Sequence, residues 1–189
     1  MAAGPHAWQH SGVNSSDYAI RPILPAEHEA LGEVSVRSYL EGGLLLKGLD
    51  DPYTPRLRDV AHRAAEALVL VAAEASAPND SATGGALLGG VTLAFPGSAM
   101  AELAGPGESE IRMLAVDPAA QGRGVGSALA AACVDLSRAD PGVKRVVLCS
   151  LREMTGAHRI YERLGFERAP RLDWSPVPDV LLWGFALDL

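Results

Sequence analysis

Short apolar runs alternate with amphipathic segments along most of this chain. Runs rich in Val, Leu, Ile and Ala that end at Gly, Pro, Asn or Asp are typical of strands, whereas apolar residues three and four positions apart are typical of helices. Seven strands are predicted on this basis, at residues 18–24, 69–73, 87–95, 110–116, 143–151, from 166 onward and 180–187. Helices are predicted at residues 25–41, 54–68, 126–140 and 155–164. The pattern therefore predicts a mixed sheet with helices on its faces.

Turn and cap residues predict how these elements connect. Thr54 and Pro55 supply an N-cap and a first-turn proline for the second helix, and Gly165 is placed to end the fourth helix in a left-handed conformation. A polar loop at residues 78–85 predicts an antiparallel pair of strands on either side of it. The strand–helix–strand succession over residues 110–151 predicts a parallel crossover.

The composition is typical of one folded domain. The chain has 189 residues, of which 48% are hydrophobic and 21% charged, so we expect residues 17–189 to form a single domain with one substantial core. Residues 1–16 are expected to be a flexible tail, because they lack the basic start and apolar run of a signal peptide. No stretch approaches the roughly 20 apolar residues of a membrane helix, so we expect no membrane partner and a cytoplasmic location.

Charge and cysteine content narrow the classes of function. The formal net charge of −7 repels phosphate polymers and favours cationic partners, so no nucleic acid is expected. Cys133 and Cys149 are the two cysteines of the chain, and they form no Cys-x-x-Cys spacing. Both are expected to be small buried apolar residues, and we predict neither a metal site nor a cysteine nucleophile.

Residues 121–127, between a predicted strand and a predicted helix, carry a ligand-binding pattern. Glycines at positions 122, 124 and 126 let a ligand approach the backbone without meeting Cβ atoms, and amides at a helix N-terminus attract phosphate. Arg123 adds positive potential. A dinucleotide fingerprint is interrupted by Ser127, and the Gly-Lys-Ser/Thr of a nucleotide P-loop is not present. The alternative to a phosphate site is an ordinary Gly-rich turn without a ligand.

Together with the strand before it, this segment resembles the acetyl-CoA-binding motif of the GNAT acetyltransferase superfamily. Gln121, Gly124 and Gly126 satisfy the family pattern Gln/Arg-x-x-Gly-x-Gly/Ala. The run from Tyr161 to Phe166 resembles the family's Tyr-x-x-x-Gly-Phe signature, and the order of predicted elements also matches. The implied fold is α/β (α+β), with a mixed, mostly antiparallel central sheet of about seven strands and helices on both faces.

The resemblance also implies roles for residues at matched positions. The backbone of Leu114, Ala115 and Val116 would pair with the pantetheine arm of acetyl-CoA beside a β-bulge, and one amide near Leu114 would stabilise the oxyanion. Tyr161 would protonate the departing thiolate. Glu110, at the position of the general base in the histone-modifying branch, would accept a proton from the amine. The residues implied in pyrophosphate binding are Gln121, Gly122, Arg123, Gly124, Val125, Gly126 and Ser127.

Some of these roles have simpler alternatives. The alternative for Tyr161 is a core aromatic on a helix stripe, and the alternative for Glu110 is a solvated carboxylate at a strand end. His158, one turn before Tyr161, is expected to be a solvated helix residue. Many relatives have an asparagine seven positions before the tyrosine, but this chain has Met154 there, and the hydroxyls of Ser150 and Thr155 are candidates to replace it.

The implied function is transfer of an acetyl group from acetyl-CoA to a primary amine of a small molecule or peptide, by direct attack in a ternary complex. The alternative is a non-catalytic acyl-CoA-binding module with a decayed acceptor site. The resemblance places the acceptor pocket at residues 26–67 and around Trp174. A homodimer that pairs through the last strand is left open.

Overall fold

The computed structural model describes residues 17–75, 85–177 and 180–189. The predicted tail at residues 1–16 and nearly all of the predicted loop at 78–85 lie outside the described residues. The strands are β1 (Tyr18–Pro22), β2 (Leu68–Glu74), β3 (Leu87–Ala94), β4 (Glu108–Val116), β5 (Arg145–Leu151), β6 (Glu167–Arg168) and β7 (Leu182–Asp188). The α-helices are α1 (His28–Glu41), α2 (Thr54–Arg58), α3 (Val60–Glu66), α4 (Val125–Ala139) and α5 (Thr155–Arg163).

The strands form one sheet in the order β1-β2-β3-β4-β5-β7-β6. β4 and β5 are parallel and are joined through α4, whereas the pairs β1–β2, β2–β3, β3–β4, β5–β7 and β6–β7 are antiparallel. The predicted mixed, mostly antiparallel sheet of seven strands is confirmed. The predicted antiparallel pair and the predicted parallel crossover are confirmed with it.

The alternation of side chains along β2 shows that helices cover both faces of the sheet. Leu70 and Ala72 are buried in the large core that α4 and α5 share with the sheet. Val69 and Val71 are buried in a different cluster, with Leu31 of α1 and with α3. Because successive residues of a strand point to opposite faces, α1 and α3 pack on one face and α4 and α5 on the other, as predicted.

The second predicted helix is in fact two helices. The backbone leaves the helical conformation at Asp59, whose ψ is 65°, and the Asp59 side chain accepts a hydrogen bond of 3.1 Å from the amide of His62. An aspartate bonded in this way caps a new helix and does not continue the old one. Thr54 is not the predicted N-cap, because Tyr53 takes that position. Leu68, predicted on the helix stripe, begins β2.

Several strands begin at residues that differ by a few positions from the predicted ones. β4 begins two residues earlier than predicted, at Glu108, and β7 begins at Leu182. Gly165 has a φ of 92°, which confirms the predicted left-handed residue after α5. Within the described residues, no helix is both long and apolar enough to cross a bilayer.

Candidate active site

β4 separates from β5 part-way along its length. The two strands pair over residues 108–111, and the pairing does not extend to residues 112–116 of β4. A β-bulge lies where they part: Met113 has a φ of 52°, and the register with β3 shifts between Gly90 and Thr92. A bulge bends its strand and increases its twist, so a wedge opens between β4 and β5. The bulge implied by the family resemblance is therefore present.

The backbone of Leu114, Ala115 and Val116 borders this wedge. On the other side of β4, Ala115 and Val116 pair with Gly90 and Gly89 of β3. The edge that faces the wedge has no strand partner among the described residues. Unpaired strand edges accept an extended ligand as an added strand, so this segment has the geometry implied for it.

The loop between β4 and α4 presents its backbone at the mouth of the wedge. Gly122 and Gly124 both have a φ of 79°, a left-handed conformation that residues with side chains rarely adopt. α4 begins at Val125, and no side chain caps it. Gln121 is exposed, and Ser127 is half-buried in the first turn of α4. Because the first amides of a helix lack intrahelical partners, they are available to an anion here.

Neighbouring elements hold this loop in place. The Arg123 guanidinium lies 3.2 Å from the Glu74 carboxylate of β2, and the Tyr18 hydroxyl of β1 donates a hydrogen bond of 3.5 Å to the Arg123 carbonyl. A Cβ atom at Gly126, in the first turn of α4, would lie 3.4 Å from the side chains of Ile160 and Val116, which is van der Waals contact. The Arg123–Glu74 ion pair is exposed and therefore weak, and phosphate binding by Arg123 stays a prediction.

A cleft of about 400 Å³ extends from this loop between α4 and α5. Its walls are mostly apolar, and they include one cation, Arg163. The lining residues are Tyr18, Gly124, Ser127, Ala128, Ala131, Ile160, Arg163 and Leu164. A second cavity of about 330 Å³ lies beside β6, and its lining includes Arg145, Arg168 and Asp188 but none of the predicted site residues.

Tyr161 of α5 is buried, with 4% of its surface exposed. Its ring packs against Phe166 and Phe185, with centroids 5.9 Å from each. Burial raises the pKa of the Tyr161 phenol, so it stays protonated at neutral pH. The hydroxyl makes no hydrogen bond to another described residue. Tyr161 is thus a core aromatic, and its role as the proton donor stays a prediction.

Cys149 of β5 is half-buried, whereas Cys133 is fully buried. The prediction that both would be buried is therefore wrong for Cys149, because β4 does not cover β5 beyond the bulge. The Trp174 indole N–H donates to the Cys149 sulfur at 3.4 Å. Burial raises the pKa of the Cys149 thiol to about 11, so it is neutral at physiological pH and is a poor nucleophile.

Glu110 of β4 is almost fully buried, with 1% of its surface exposed. Its Oε2 accepts backbone hydrogen bonds of 2.8, 2.7 and 3.1 Å from Glu102, Leu103 and Ala104. Its Oε1 lies 3.6 Å from Nε of Arg112. These charge-assisted bonds tie the connection between β3 and β4 to the sheet. The solvated carboxylate considered as an alternative is wrong, whereas the general-base role stays a prediction.

Three residues on and beside α1, α2 and α3 carried no recognised motif in the sequence. The rings of Tyr39 and Tyr53 lie 5.9 Å apart, and burial raises the pKa of both phenols. Arg63 is 2% exposed and donates to the Leu57 carbonyl at 2.9 Å. Burial lowers the pKa of its guanidinium. The one available signal for Arg63 was its spacing of three from Val60, which places it on the buried stripe of its helix.

His158 is buried, so the prediction of a solvated helix residue is wrong. Its Nε2 lies 3.0 Å from the Ser150 hydroxyl and 3.1 Å from the Leu151 carbonyl, and its ring stacks on Trp183. Ser150 is therefore already engaged by protein groups, whereas Thr155 is exposed at the start of α5. Among the described residues, no group of three or more His, Cys, Asp or Glu side chains is placed to hold a metal ion.

A family model described as the acetyltransferase (GNAT) family matches residues 45–166 of this chain. The chain is 46% identical over 59 residues to the mycothiol acetyltransferase of Salinispora tropica, an alignment that covers 31% of this chain and 19% of that protein. It is 43% identical over 82 residues to the mycothiol acetyltransferase of Beutenbergia cavernae, covering 43% and 25% respectively. The chain thus spans about a fifth to a quarter of the length of these curated relatives.

Solved structures share the fold. A GNAT-family acetyltransferase from Bacillus anthracis has a TM-score of 0.63 at 15% identity, and covers 91% of this chain and 95% of its own. The putative acetyltransferase yncA from Salmonella typhimurium, solved with its cofactor acetyl-CoA, has a TM-score of 0.61 at 21% identity, with coverage of 91% and 94%. These likenesses extend over nearly the whole chain and establish its fold.

We expect iodoacetamide to alkylate Cys149 slowly at pH 7.5. With a pKa of about 11, the thiol has a far smaller thiolate fraction than free cysteine, whose pKa is about 8.5, so alkylation should be at least about tenfold slower. The rate should rise with pH up to about pH 11. Mass spectrometry would follow the modification, and fully buried Cys133 is an internal control that should stay unmodified. Fast alkylation that reaches a plateau near pH 8 would contradict this assignment.

Proposed function

The chain belongs to the acetyltransferase (GNAT) family, and we propose that it transfers an acetyl group from acetyl-CoA to a primary amine by direct attack in a ternary complex. The observation that supports this proposal is that the bulged strand β4, which borders the wedge, continues directly into the glycine loop. That segment, residues 108–127, lies within the part of the chain that the family model matches.

The loop and the wedge support a bound acetyl-CoA that follows the protein backbone. The amides of residues 122–127 would bind the pyrophosphate, with the Arg123 guanidinium adding charge. The cleft between α4 and α5, with Arg163 in its wall, would receive the nucleotide. The pantetheine arm would pair with Leu114, Ala115 and Val116, which brings the thioester toward Tyr161 and Cys149.

Direct attack fits the chemistry of the side chains at the wedge. Cys149 has its thiol pKa raised to about 11 by burial, so an acyl-enzyme on this residue is disfavoured. In the proposed reaction the amine attacks the thioester carbonyl, and an amide near Leu114 stabilises the oxyanion. Tyr161 donates its proton to the departing thiolate, and Glu110 is the predicted acceptor of the amine's proton.

The names of the relatives do not define the acceptor for this chain. The region aligned with this chain is a fifth to a quarter of each mycothiol acetyltransferase. We therefore do not propose that this chain has the activity of those proteins. Both the family membership and the geometry of the wedge support acetyl-CoA as the donor and an amine as the acceptor.

Substitution of Gly124 by valine tests the donor site. A β-branched residue at a φ of 79° strains the loop and turns its amides away, so the Kd for CoA measured by calorimetry should rise at least about tenfold. Gly97→Val is the matched control, because Gly97 also has a positive φ, 86°, and lies in another loop. Equal Kd values for Gly124→Val and the unmodified chain would contradict the assignment of residues 122–127 as the pyrophosphate site.

A turnover assay distinguishes an acetyltransferase from a non-catalytic acyl-CoA-binding module. Release of the CoA thiol is measured with acetyl-CoA and a panel of peptides, polyamines and aminoglycosides. We expect thiol release with at least one amine. Tight CoA binding without thiol release across the panel would instead support a binding module with a decayed acceptor site.

Tyr161→Phe tests the proposed proton donor. Phenylalanine keeps the packing against Phe166 and Phe185, so the fold and the KM for acetyl-CoA should be preserved. Loss of the Tyr161 hydroxyl should lower kcat by only about tenfold, because a thiolate is a good leaving group and depends little on protonation. An unchanged kcat in Tyr161→Phe would assign this residue to packing alone.

A further inference from the structure

A carboxylate lies directly beside the glycine loop that connects β4 to α4. The carboxylate of Glu74, the last residue of β2, is 3.2 Å from the guanidinium of Arg123 in that loop. A loop that binds phosphate gains affinity from positive potential and loses it to a nearby negative charge. Affinity for phosphate alone therefore gives no reason for an acidic residue at this position.

The sheet fixes the position of Glu74. Glu74 is the register partner of Tyr18 in the antiparallel pair β1–β2, and directly opposite residues of such a pair project to the same face, with Cβ atoms about 4.5–5.5 Å apart. Leu70 and Ala72 of the same strand are buried in the core that α4 shares with the sheet. Because alternate residues of a strand share a face, Glu74 lies on the face of the sheet that α4 covers.

Tyr18 supports the backbone of the loop. Its ring is 5% exposed and belongs to the same core cluster as Val125 at the start of α4. Its hydroxyl donates a hydrogen bond of 3.5 Å to the Arg123 carbonyl, and a Cβ atom on Gly124 would lie 3.7 Å from the same hydroxyl oxygen. Glu74, by contrast, contacts the Arg123 side chain. A substitution of Glu74 should therefore redirect the guanidinium and leave the loop amides in place.

The ion pair between Arg123 and Glu74 has a strength that a ligand can overcome. The two side chains are 36% and 46% exposed, so water and salt screen their attraction. A phosphate bound to the loop amides would have its own charge-assisted hydrogen bonds, and these are stronger than neutral ones. The guanidinium carries a single charge, which either the carboxylate or the phosphate neutralises. The two anions therefore compete for it.

We propose that Glu74 is a positioning residue of the donor site, which competes with the pyrophosphate of CoA for the Arg123 guanidinium and thereby weakens the binding of CoA and acetyl-CoA alike. This inference rests on the proposed binding of acetyl-CoA at residues 122–127. The pyrophosphate is common to the substrate acetyl-CoA and the product CoA, so both affinities should change by the same factor. Release of the CoA product is then assisted, because the carboxylate takes back the guanidinium as the pyrophosphate leaves.

Calorimetric titration of the purified full chain with CoA and with acetyl-CoA tests this proposal. Glu74→Gln keeps the length of the side chain and removes its charge, so the Kd for each ligand should fall about threefold, which is the scale of an exposed ion pair. Arg123→Gln should raise both Kd values by a similar factor. In about 1 M salt, where the Debye length is about 3 Å, the advantage of Glu74→Gln should disappear.

Asp135→Asn is the matched control for the change in net charge. Asp135 is also exposed and also paired with an arginine, since its carboxylate lies 3.7 Å from the Arg138 guanidinium. It lies about 15 Å along α4 from the start of that helix. This distance exceeds the Debye length of about 10 Å at 0.1 M salt, so Asp135→Asn should leave the Kd for CoA unchanged.

A double variant shows whether Glu74 acts through Arg123. In Arg123→Gln there is no guanidinium to compete for, so the further change Glu74→Gln should alter the Kd for CoA by less than about 1.5-fold. The same threefold gain with and without Arg123 would make Glu74 a simple repulsive charge and would overturn the competition.

The outcomes that overturn this inference differ from those that overturn the donor site. An unchanged or higher Kd in Glu74→Gln, or an equal gain in Asp135→Asn, would overturn the role of Glu74 and leave acetyl transfer standing. An unchanged Kd in Arg123→Gln would do the same, because the loop amides would then hold the pyrophosphate without the guanidinium. Failure of the unmodified chain to bind CoA would overturn the donor site and this inference together.

Discussion

The divergence of β4 from β5 at Met113 is the constraint on which the candidate site depends. A regular parallel pair would satisfy both strand edges and leave no room between them. The bulge turns residues 112–116 away from β5, which leaves one backbone edge unpaired and uncovers Cys149 on the facing strand. The same bend delivers the chain to the glycine loop and to the uncapped start of α4. Strand edge, thiol and helix N-terminus are thus consequences of one local irregularity.

The bulge also explains why one part of the sheet is so closely packed. β3 contributes Gly89 and Gly90 opposite the displaced part of β4, where a Cβ atom on Gly89 would lie 2.6 Å from the Ala115 carbonyl oxygen. Glycine is required there because the bent backbone of β4 approaches so closely. On the other face, a Cβ atom on Gly90 would lie 2.6 Å from Leu31, which lets α1 pack directly on β3.

Periodicity and turn residues predicted the sheet, the crossover and the left-handed turn after α5, because these depend on local patterns. They failed where a tertiary contact decides the outcome. The break at Asp59 depends on one side chain that bonds to the amide of His62, and the burial of His158 depends on Trp183 from the last strand. Glu110 is a comparable case, since its three amide partners come from a connection that shows no periodic signal.

The most direct test of this account is a crystal structure of the complex with acetyl-CoA. The account predicts pyrophosphate oxygens within hydrogen-bond distance, about 2.7–3.2 Å, of amides in residues 122–127. It also predicts the pantetheine arm along residues 114–116 and the acetyl group between Tyr161 and Cys149. Acetyl-CoA bound in the cavity beside β6, with the wedge between β4 and β5 free of ligand, would contradict it.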